Sequence, residues 1–337
     1  MSLGSYGSLC FEGPDQVGKG DASSRILSGL EDDGISVTSC SFPIYSTPIG
    51  SAIRMLLKEG YPEDVLSSKD TLSLRMALFA LNRLEFLDVY LEDKKYRDSL
   101  LVLDRSPYSN AVTIGYGLSL FENWDNGLVK GYINEALTYD SLIISKLGLN
   151  RCVIQLKSEE SRWRNIRSIE SDQYEKEGVQ ERCSGVYEMY KEIVGRGWHQ
   201  VITKSDDGWK DRDEIRKEIG DILWEEYGPM LDIRGGERFN IGFKEIVGKM
   251  YPKSEYNSEE YLAYENALRM NEKDQMYSNG VSIGKQVASS CLNIKFSNSE
   301  VREEFKRILS AVPEVMGVFG YFLGNSYVNK LKRALEL

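Results

Sequence analysis

From Tyr6 the chain reads Tyr6-Gly7-Ser8-Leu9-Cys10-Phe11-Glu12, then Gly13-Pro14-Asp15-Gln16-Val17-Gly18-Lys19-Gly20-Asp21. The stretch Tyr6–Glu12 is a short apolar run ended by a glycine, the pattern of a buried strand. From Lys19 to Glu31 the apolar residues recur at helical spacing. A segment of spacing G-x-x-x-x-G-K therefore joins a strand to a helix. Glycines let successive backbone N–H groups turn inward, the helix start adds positive potential, and Lys19 brings a mobile cation. These are the parts of a phosphate-binding loop. The residue after such a lysine is usually Ser or Thr, whose hydroxyl ligates Mg2+. Here Gly20 follows, then Asp21. An acid at that place either ligates a metal or complements the helix dipole.

Working outward, further strands are expected at Ile35–Phe42, Leu100–Asp104, Arg151–Leu156 and His199–Thr203. Helical spacing covers Ile49–Lys58, Thr71–Lys94, Gly131–Ser145, Ser158–Ile169, Gln173–Val194 and Arg212–Glu226. Strands alternating with helices predict an α/β fold, a five-stranded parallel sheet flanked by helices and joined by right-handed crossovers. Beyond it the spacing is helical at Asn240–Tyr251, Glu259–Met276, Val281–Asn293, Glu300–Ala311 and Glu314–Leu335, which reads as a C-terminal all-α domain. Ser297 with Glu300 suggests a capping box, and Pro313 suits a helix start. The boundary falls at 228/229, giving domains 1–228 and 229–337. Charge supports it: the formal net charge is -10, and the sequence from Leu231 onward is close to neutral.

The 337 residues are 41% hydrophobic and 28% charged, a soluble globular composition with enough apolar material for a core. No apolar run is long enough to span a membrane, and Met1–Tyr6 lacks the basic-then-apolar pattern of a secretory leader, so a cytoplasmic location is expected. Cys10, Cys40, Cys152, Cys183 and Cys291 form an odd set without close spacing, read as reduced thiols. Net negative charge argues against binding a nucleic-acid polymer. A lone histidine, His199, leaves little for a triad or a multi-histidine metal site.

Four more segments carry a family resemblance. Phe42-Pro43-Ile44-Tyr45-Ser46-Thr47-Pro48-Ile49-Gly50 resembles the F-P-x-R-x-T-x-I-G segment of thymidylate kinases. Leu78-Phe79-Ala80-Leu81-Asn82-Arg83 resembles their L-F-x-x-N-R helix, and Asp104-Arg105-Ser106-Pro107-Tyr108-Ser109 their D-R-Y-x-x-S loop. Gln173-Tyr174-Glu175 with Gln180-Glu181-Arg182 resembles the stretch after their lid. With the phosphate loop these motifs occur in order over roughly residues 6–228, in the eukaryotic-type pattern.

The resemblance implies the P-loop three-layer fold of nucleoside-monophosphate kinases. It implies a kinase that transfers the γ-phosphoryl group of ATP to dTMP with Mg2+, and a homodimer. In-line transfer between two polyanions asks for placed cations and a metal rather than covalent chemistry. By the same carry-over the catalytic residues are Lys19, Arg105, Asp104 and Asp15. ATP would be held by Gly13, Gln16, Val17, Gly18, Lys19, Gly20 and Asp21, with Arg162, Arg164 and Arg167 of the lid. The stretch Lys204–Trp209 would lie beside the adenine. The acceptor would meet Asp15, Phe42, Pro43, Tyr45, Phe79, Arg83, Arg105, Ser109, Tyr174 and Gln180. Mg2+ would be held by Asp104, with Asp21 a second candidate.

Two departures stand out: Asp21, and Tyr45 where the family has the arginine that grips the acceptor phosphate. Either Arg54, Arg75 or Arg105 compensates for Tyr45, or monophosphate affinity is low, or the acceptor differs, for instance dUMP or another pyrimidine nucleotide. A catalytically weakened regulatory module is the remaining reading. The C-terminal region is not accounted for by the resemblance.

Overall fold

The computed structural model describes residues 7–60, 68–120, 125–159, 174, 177–205, 207–228, 231, 235–252, 283–290 and 292–337. They divide into two compact units, each made of two stretches of chain: residues 1–42 with 94–240, and residues 43–93 with 241–337.

The first unit is built on β1 (Ser8–Glu12), β2 (Val37–Ser41), β3 (Leu100–Asp104), β4 (Cys152–Ser158), β5 (Trp198–Ser205), β6 (Gly208–Trp209) and β7 (Arg238–Asn240). The sheet order is β6-β5-β4-β1-β3-β2-β7, parallel except for the β5–β6 pair. The expected α/β class and the strands inferred from sequence are present, but the sheet has seven strands rather than five. The two additions are an antiparallel turn-back after β5 and a short edge strand on β2. Both are too short for a periodic signal. Asn240, expected to start a helix, instead ends β7.

Helices α1 (Lys19–Asp32) and α9 (Arg212–Tyr227) cover one side of the sheet. Their residues Ile26, Leu27, Ile219 and Leu223 join Leu9, Phe11, Val102 and Ile154 in one buried cluster. The short α4 (Lys94–Arg97) precedes β3, and between β3 and β5 lie α5 (Asn110–Ser119), α6 (Asn126–Tyr139), α7 (Ser141–Leu147) and α8 (Glu177–Val194). Helix α5 was not expected, because its two glycines and β-branched residues give it low propensity. Packing against α8 decides it: a Cβ on Gly115 would come within 2.9 Å of Cys183 Sγ. The single helix expected over Gly131–Ser145 is two, parted at Asp140, whose buried carboxylate accepts from Asn110 Nδ2 at 3.2 Å. The helix expected from Ser158 is not seen there, since Ser158 ends β4; the rest of that expectation lies outside the described residues. Cys10, Cys40, Cys152 and Cys183 are buried free thiols, as read from the sequence.

The second unit contains α2 (Pro48–Glu59), α3 (Ser68–Glu92), α10 (Phe243–Met250), α11 (Ile283–Ser289), α12 (Ser299–Ala311), α13 (Glu314–Leu323) and α14 (Asn325–Leu335). Helices α10 and α12 pack on α3, while α11 and α13 pack on α2. Asn298, rather than Ser297, caps α12, accepting from Glu300 N and Val301 N. Gly324 breaks the last expected helix into α13 and α14. Pro313 starts α13 as expected. The stretch Glu259–Met276 lies outside the described residues. Among the described residues no helix is long and apolar enough to cross a membrane.

Candidate functional site

Parallel pairing brings the ends of β1 and β3 side by side, with Phe11 opposite Asp104 and Arg105 N donating to Phe11 O at 3.0 Å. The loop after β1 and the loop after β3 therefore open at the same carboxyl edge of the sheet, the usual place for ligands in such sheets. Gly13 has φ +133, and a Cβ there would sit 2.3 Å from Leu156 O, so the tight turn needs glycine. Gly18 is left-handed at φ +88 and precedes the first residue of α1. Thr203 on β5 ties the loop down by donating its hydroxyl to Val17 O at 2.8 Å.

Lys19 Nζ donates to Gly13 O at 2.8 Å and Pro14 O at 2.5 Å and lies 3.8 Å from Asp15 Oδ1. Arg105 donates its Nη2 to Asp15 Oδ1. Gln180 reads both sides of Asp15: its Oε1 accepts from Asp15 N at 2.7 Å, and its Nε2 donates to Asp15 Oδ2 at 3.1 Å and to Tyr174 O at 2.7 Å. Lys19, Asp15, Arg105, Gln180 and Tyr174, five of the residues singled out in the sequence, thus converge. Burial raises the Asp15 carboxyl, but Arg105 and Lys19 outweigh it and hold it below its ordinary range. Burial, and then the Arg105 charge, pull Lys19 down to about 8. For Arg105 burial works against the charge, yet the facing Asp15 carboxylate keeps it firmly protonated. Gln16 and Arg105 both have left-handed backbone, at φ 63 and 68. Such geometry in residues other than glycine costs about 1–2 kcal/mol each and clusters at functional sites.

A residue that the sequence reading passed over lies beneath this cluster. Glu12 closes β1 and is fully buried. Its carboxylate accepts from Ser106 N at 2.7 Å, Ser106 Oγ at 2.6 Å, Ser109 Oγ at 2.7 Å and Tyr187 Oη at 3.0 Å. Burial raises its pKa, while the Ser106 and Ser109 hydrogen bonds lower it. Ser106, where the family resemblance expects Tyr, and Ser109, expected on the acceptor, both spend their hydroxyls on Glu12. As the last residue of an apolar strand, Glu12 offered no periodic signal; its acidity amid Leu9, Cys10 and Phe11 was the available hint.

The remaining expected residues of the first unit are more dispersed. Asp104 is half-buried at the end of β3 and accepts from Ser41 Oγ at 3.4 Å, and its carbonyl accepts from Phe42 N at 2.9 Å. Asp21 is exposed on α1, with Arg25 Nε at 3.0 Å and Arg212 Nε at 3.6 Å from its carboxylate. Trp209 is half exposed; its ring would lie 3.6 Å from a Cβ on Gly18, and Lys204 Nζ stands 5.3 Å from its centroid. Arg162, Arg164, Arg167, Gln173 and Glu175 lie outside the described residues.

Within the second unit, the segment after Phe42 is shaped by its own motif. Thr47 caps α2 through its Oγ1, which accepts from Gly50 N at 3.1 Å, and Pro48 takes the first helical position. A Cβ on Gly50 would stand 1.8 Å from Ile44 O, so this close approach requires glycine. Asn82 on α3 accepts from Ile44 N at 2.8 Å and donates to Thr47 Oγ1 at 3.1 Å and Glu85 Oε2 at 2.8 Å. Burial raises Glu85 to about 7, against hydrogen bonds from Tyr251, Thr47 and Asn82. Tyr45 is half-buried, with the Arg54 guanidinium 5.6 Å from its ring centroid. Phe79, half-buried, and Arg83, buried, lie one turn apart on α3.

A parallel sheet with a glycine loop and lysine between β1 and α1 defines the P-loop class of phosphate-binding folds. Within that class, residues 11–170, just under half of the chain, match the family model for thymidylate kinase. The resemblance read from the phosphate loop, the F-P segment, the L-F-x-x-N-R helix and the D-R loop is borne out over those residues; Tyr174 and Gln180 fall beyond them. A crystal structure of thymidylate kinase from Ehrlichia chaffeensis is similar at 17% identity and a TM-score of 0.42, covering 65% of this chain and 99% of that one. No curated protein matches the chain.

Proposed function

We propose that the chain is a nucleoside-monophosphate kinase that phosphorylates dTMP from ATP. The observation that carries this reading is the convergence of Lys19, Arg105 and Asp15, braced by Gln180, at the mouth of a phosphate-binding loop. Lys19, now donating to loop carbonyls, is placed to exchange them for β- and γ-phosphate oxygens. Asp15 keeps the Arg105 guanidinium oriented before an anion arrives, and the planar fork can then bridge donor and acceptor phosphates. Phe79 and Arg83 would stack on and hydrogen-bond the acceptor base.

Mg2+ suits the donor set at Asp104, a half-exposed carboxylate with a hydroxyl beside it, since this ion binds one or two carboxylates and completes its shell with water and phosphate. It would neutralise charge on the transferred group. Asp21, the second candidate, shares its Oδ2 with Arg25 and Arg212 at the surface. The same pairing gives Asp21 a second reading, as a surface ion-pair residue.

An ADP-release assay against dTMP, dUMP, dCMP, dGMP and dAMP tests the reading. Turnover with dTMP above the others supports it. Preference for dUMP or another pyrimidine nucleotide supports a changed acceptor, the second reading favoured by Tyr45. Nucleotide binding without turnover of any monophosphate refutes both.

Tyr45 points to a specific compensation. Arg54 stands over its ring, with the guanidinium 5.6 Å from the centroid, beside the place of the family's missing arginine. Arg54→Ala is expected to raise the acceptor KM about tenfold with kcat little changed, and Tyr45→Arg to lower it by a similar factor. A rise in KM for Tyr45→Arg would mean the pocket is rebuilt around the tyrosine.

A pH dependence follows from Lys19. Its ammonium form is needed to grip phosphate, and in the free protein that form is lost above about 8. The kcat/KM for ATP should therefore fall about tenfold per pH unit above that value. Bound polyphosphate favours the charged form, so the fall in kcat should begin at higher pH. A kcat/KM for ATP that stays flat to pH 10 would contradict the role given to Lys19.

A further inference from the structure

The C-terminal helices have no counterpart in the family resemblance, yet they share a unit with the segment proposed to meet the acceptor. Their link to it is polar and buried. On α3, Asn82, Glu85 and Asp88 follow one another at three-residue spacing and so line one side of the helix. All three are almost wholly inaccessible. Buried polar groups are costly unless satisfied, so each must have partners. Asp88 receives Ser297 N at 2.9 Å and Asn298 N at 2.8 Å, which anchors the start of α12. Glu85 receives Tyr251 Oη at 2.5 Å on one oxygen, and Thr47 Oγ1 at 2.7 Å and Asn82 Nδ2 at 2.8 Å on the other. Tyr327 of α14 stands behind, its hydroxyl 3.2 Å from that of Tyr251.

A single carboxylate thus joins the tail to the loop Pro43–Thr47. Asn82, fixed by Glu85, is the residue that holds Ile44 N, while Thr47, also fixed by Glu85, caps α2. A second contact acts on the same place. Gly284 of α11 packs so closely that a Cβ on it would lie 2.2 Å from Thr47 O. The tail therefore meets this loop once through Tyr251 and once through backbone packing.

The geometry points to Tyr251 as a positioning residue: through Glu85 and Asn82 it fixes the Pro43–Thr47 loop in the shape that receives the acceptor monophosphate, and bracing that loop is the function of the C-terminal helices. This rests on the kinase reading for the identity of the acceptor but not for the coupling itself. Tyr251→Phe removes one hydroxyl and keeps the ring in the core. Glu85 loses a donor, its remaining partners lose their fixed position, and the loop loosens.

The test uses the full-length protein and two readouts. In steady-state kinetics, Tyr251→Phe should raise the acceptor KM about tenfold while kcat and the KM for ATP stay within about twofold. In hydrogen exchange without nucleotide, the Ile44 and Gly50 amides should exchange about tenfold faster, with the amides of α1 unchanged. Tyr327→Phe, which removes only the outer hydroxyl, should shift both readouts the same way by about two- to threefold, and serves if the first variant does not fold. Unchanged KM and unchanged exchange overturn the proposal. So does a loss spread evenly over kcat, both KM values and exchange throughout the second unit, because that marks a purely structural role. If the native chain phosphorylates no monophosphate, the kinase reading fails, and the exchange measurement still decides whether Tyr251 controls the loop.

Discussion

Lys19→Ala and Arg105→Ala are each expected to lower kcat by about a thousandfold while leaving the protein folded. In the proposed kinase both cations would lie where charge is redistributed during transfer, and neither is a keystone of the core. Among the described residues Lys19 bonds to two loop carbonyls and approaches Asp15, and the Arg105 side chain is partly accessible. Removing Arg105 leaves Asp15 with Lys19 and Gln180 as partners, so no buried charge is stranded. The thermal midpoint should move by only a few degrees. Arg105→Lys should restore little activity, because a point charge cannot span two phosphates as a planar fork does. A kcat within tenfold of native for either alanine variant, at saturating ATP and acceptor, would remove that residue from the transfer step.

Much of the first unit was legible because its signals are local. The phosphate loop is one continuous segment, and the strand before it and helix after it were read almost to the residue. The segment from Phe42 to Gly50 was legible through its family resemblance alone; the capping side chain of Thr47, the proline at the first helical position and the glycine forced by Ile44 O are findings of the structure. What stayed hidden depends on distance along the chain. Glu12 looks like the end of a strand until β3 brings Ser106 and Ser109 to it across more than ninety residues. Glu85 gains its meaning only when Tyr251 arrives from 166 residues away. Strands β6 and β7 are too short for any period, and α5 forms against its own propensity because α8 covers it.

The two departures from the family pattern also separate once the partners are known. Asp21 faces two arginines on the surface, and surface ion pairs of this kind contribute little to stability. Tyr45 instead sits beside a cation that α2 supplies nearly two turns into the helix. Specificity is therefore to be sought at Tyr45 and Arg54 rather than at Asp21.

Glu12→Ala should be among the most damaging single changes. The substitution removes an acceptor that satisfies the Ser106 amide, both serine hydroxyls and Tyr187, and it leaves a void under the loop. Stranding several buried donors together costs about 3–5 kcal/mol, which for a protein of this size lowers the thermal midpoint by roughly 10 °C. Activity should fall further than stability. Ser106 N–H directly follows Arg105, whose left-handed backbone must be imposed by its surroundings. Once that amide is released, Arg105 can relax to an ordinary conformation and its guanidinium leaves Asp15. A loss of kcat of about a hundredfold is expected, with the ATP Kd changed far less because the phosphate loop itself is intact. Glu12→Gln separates packing from charge. Its carbonyl oxygen can still accept from Ser106, and the Ser109 and Tyr187 hydroxyls can rotate to receive its amide. That variant should keep a near-native midpoint and most of the activity. If Glu12→Ala instead unfolds at the native temperature and turns over within twofold of native, Arg105 owes its position to the strand pairing of Phe11 and Asp104 alone.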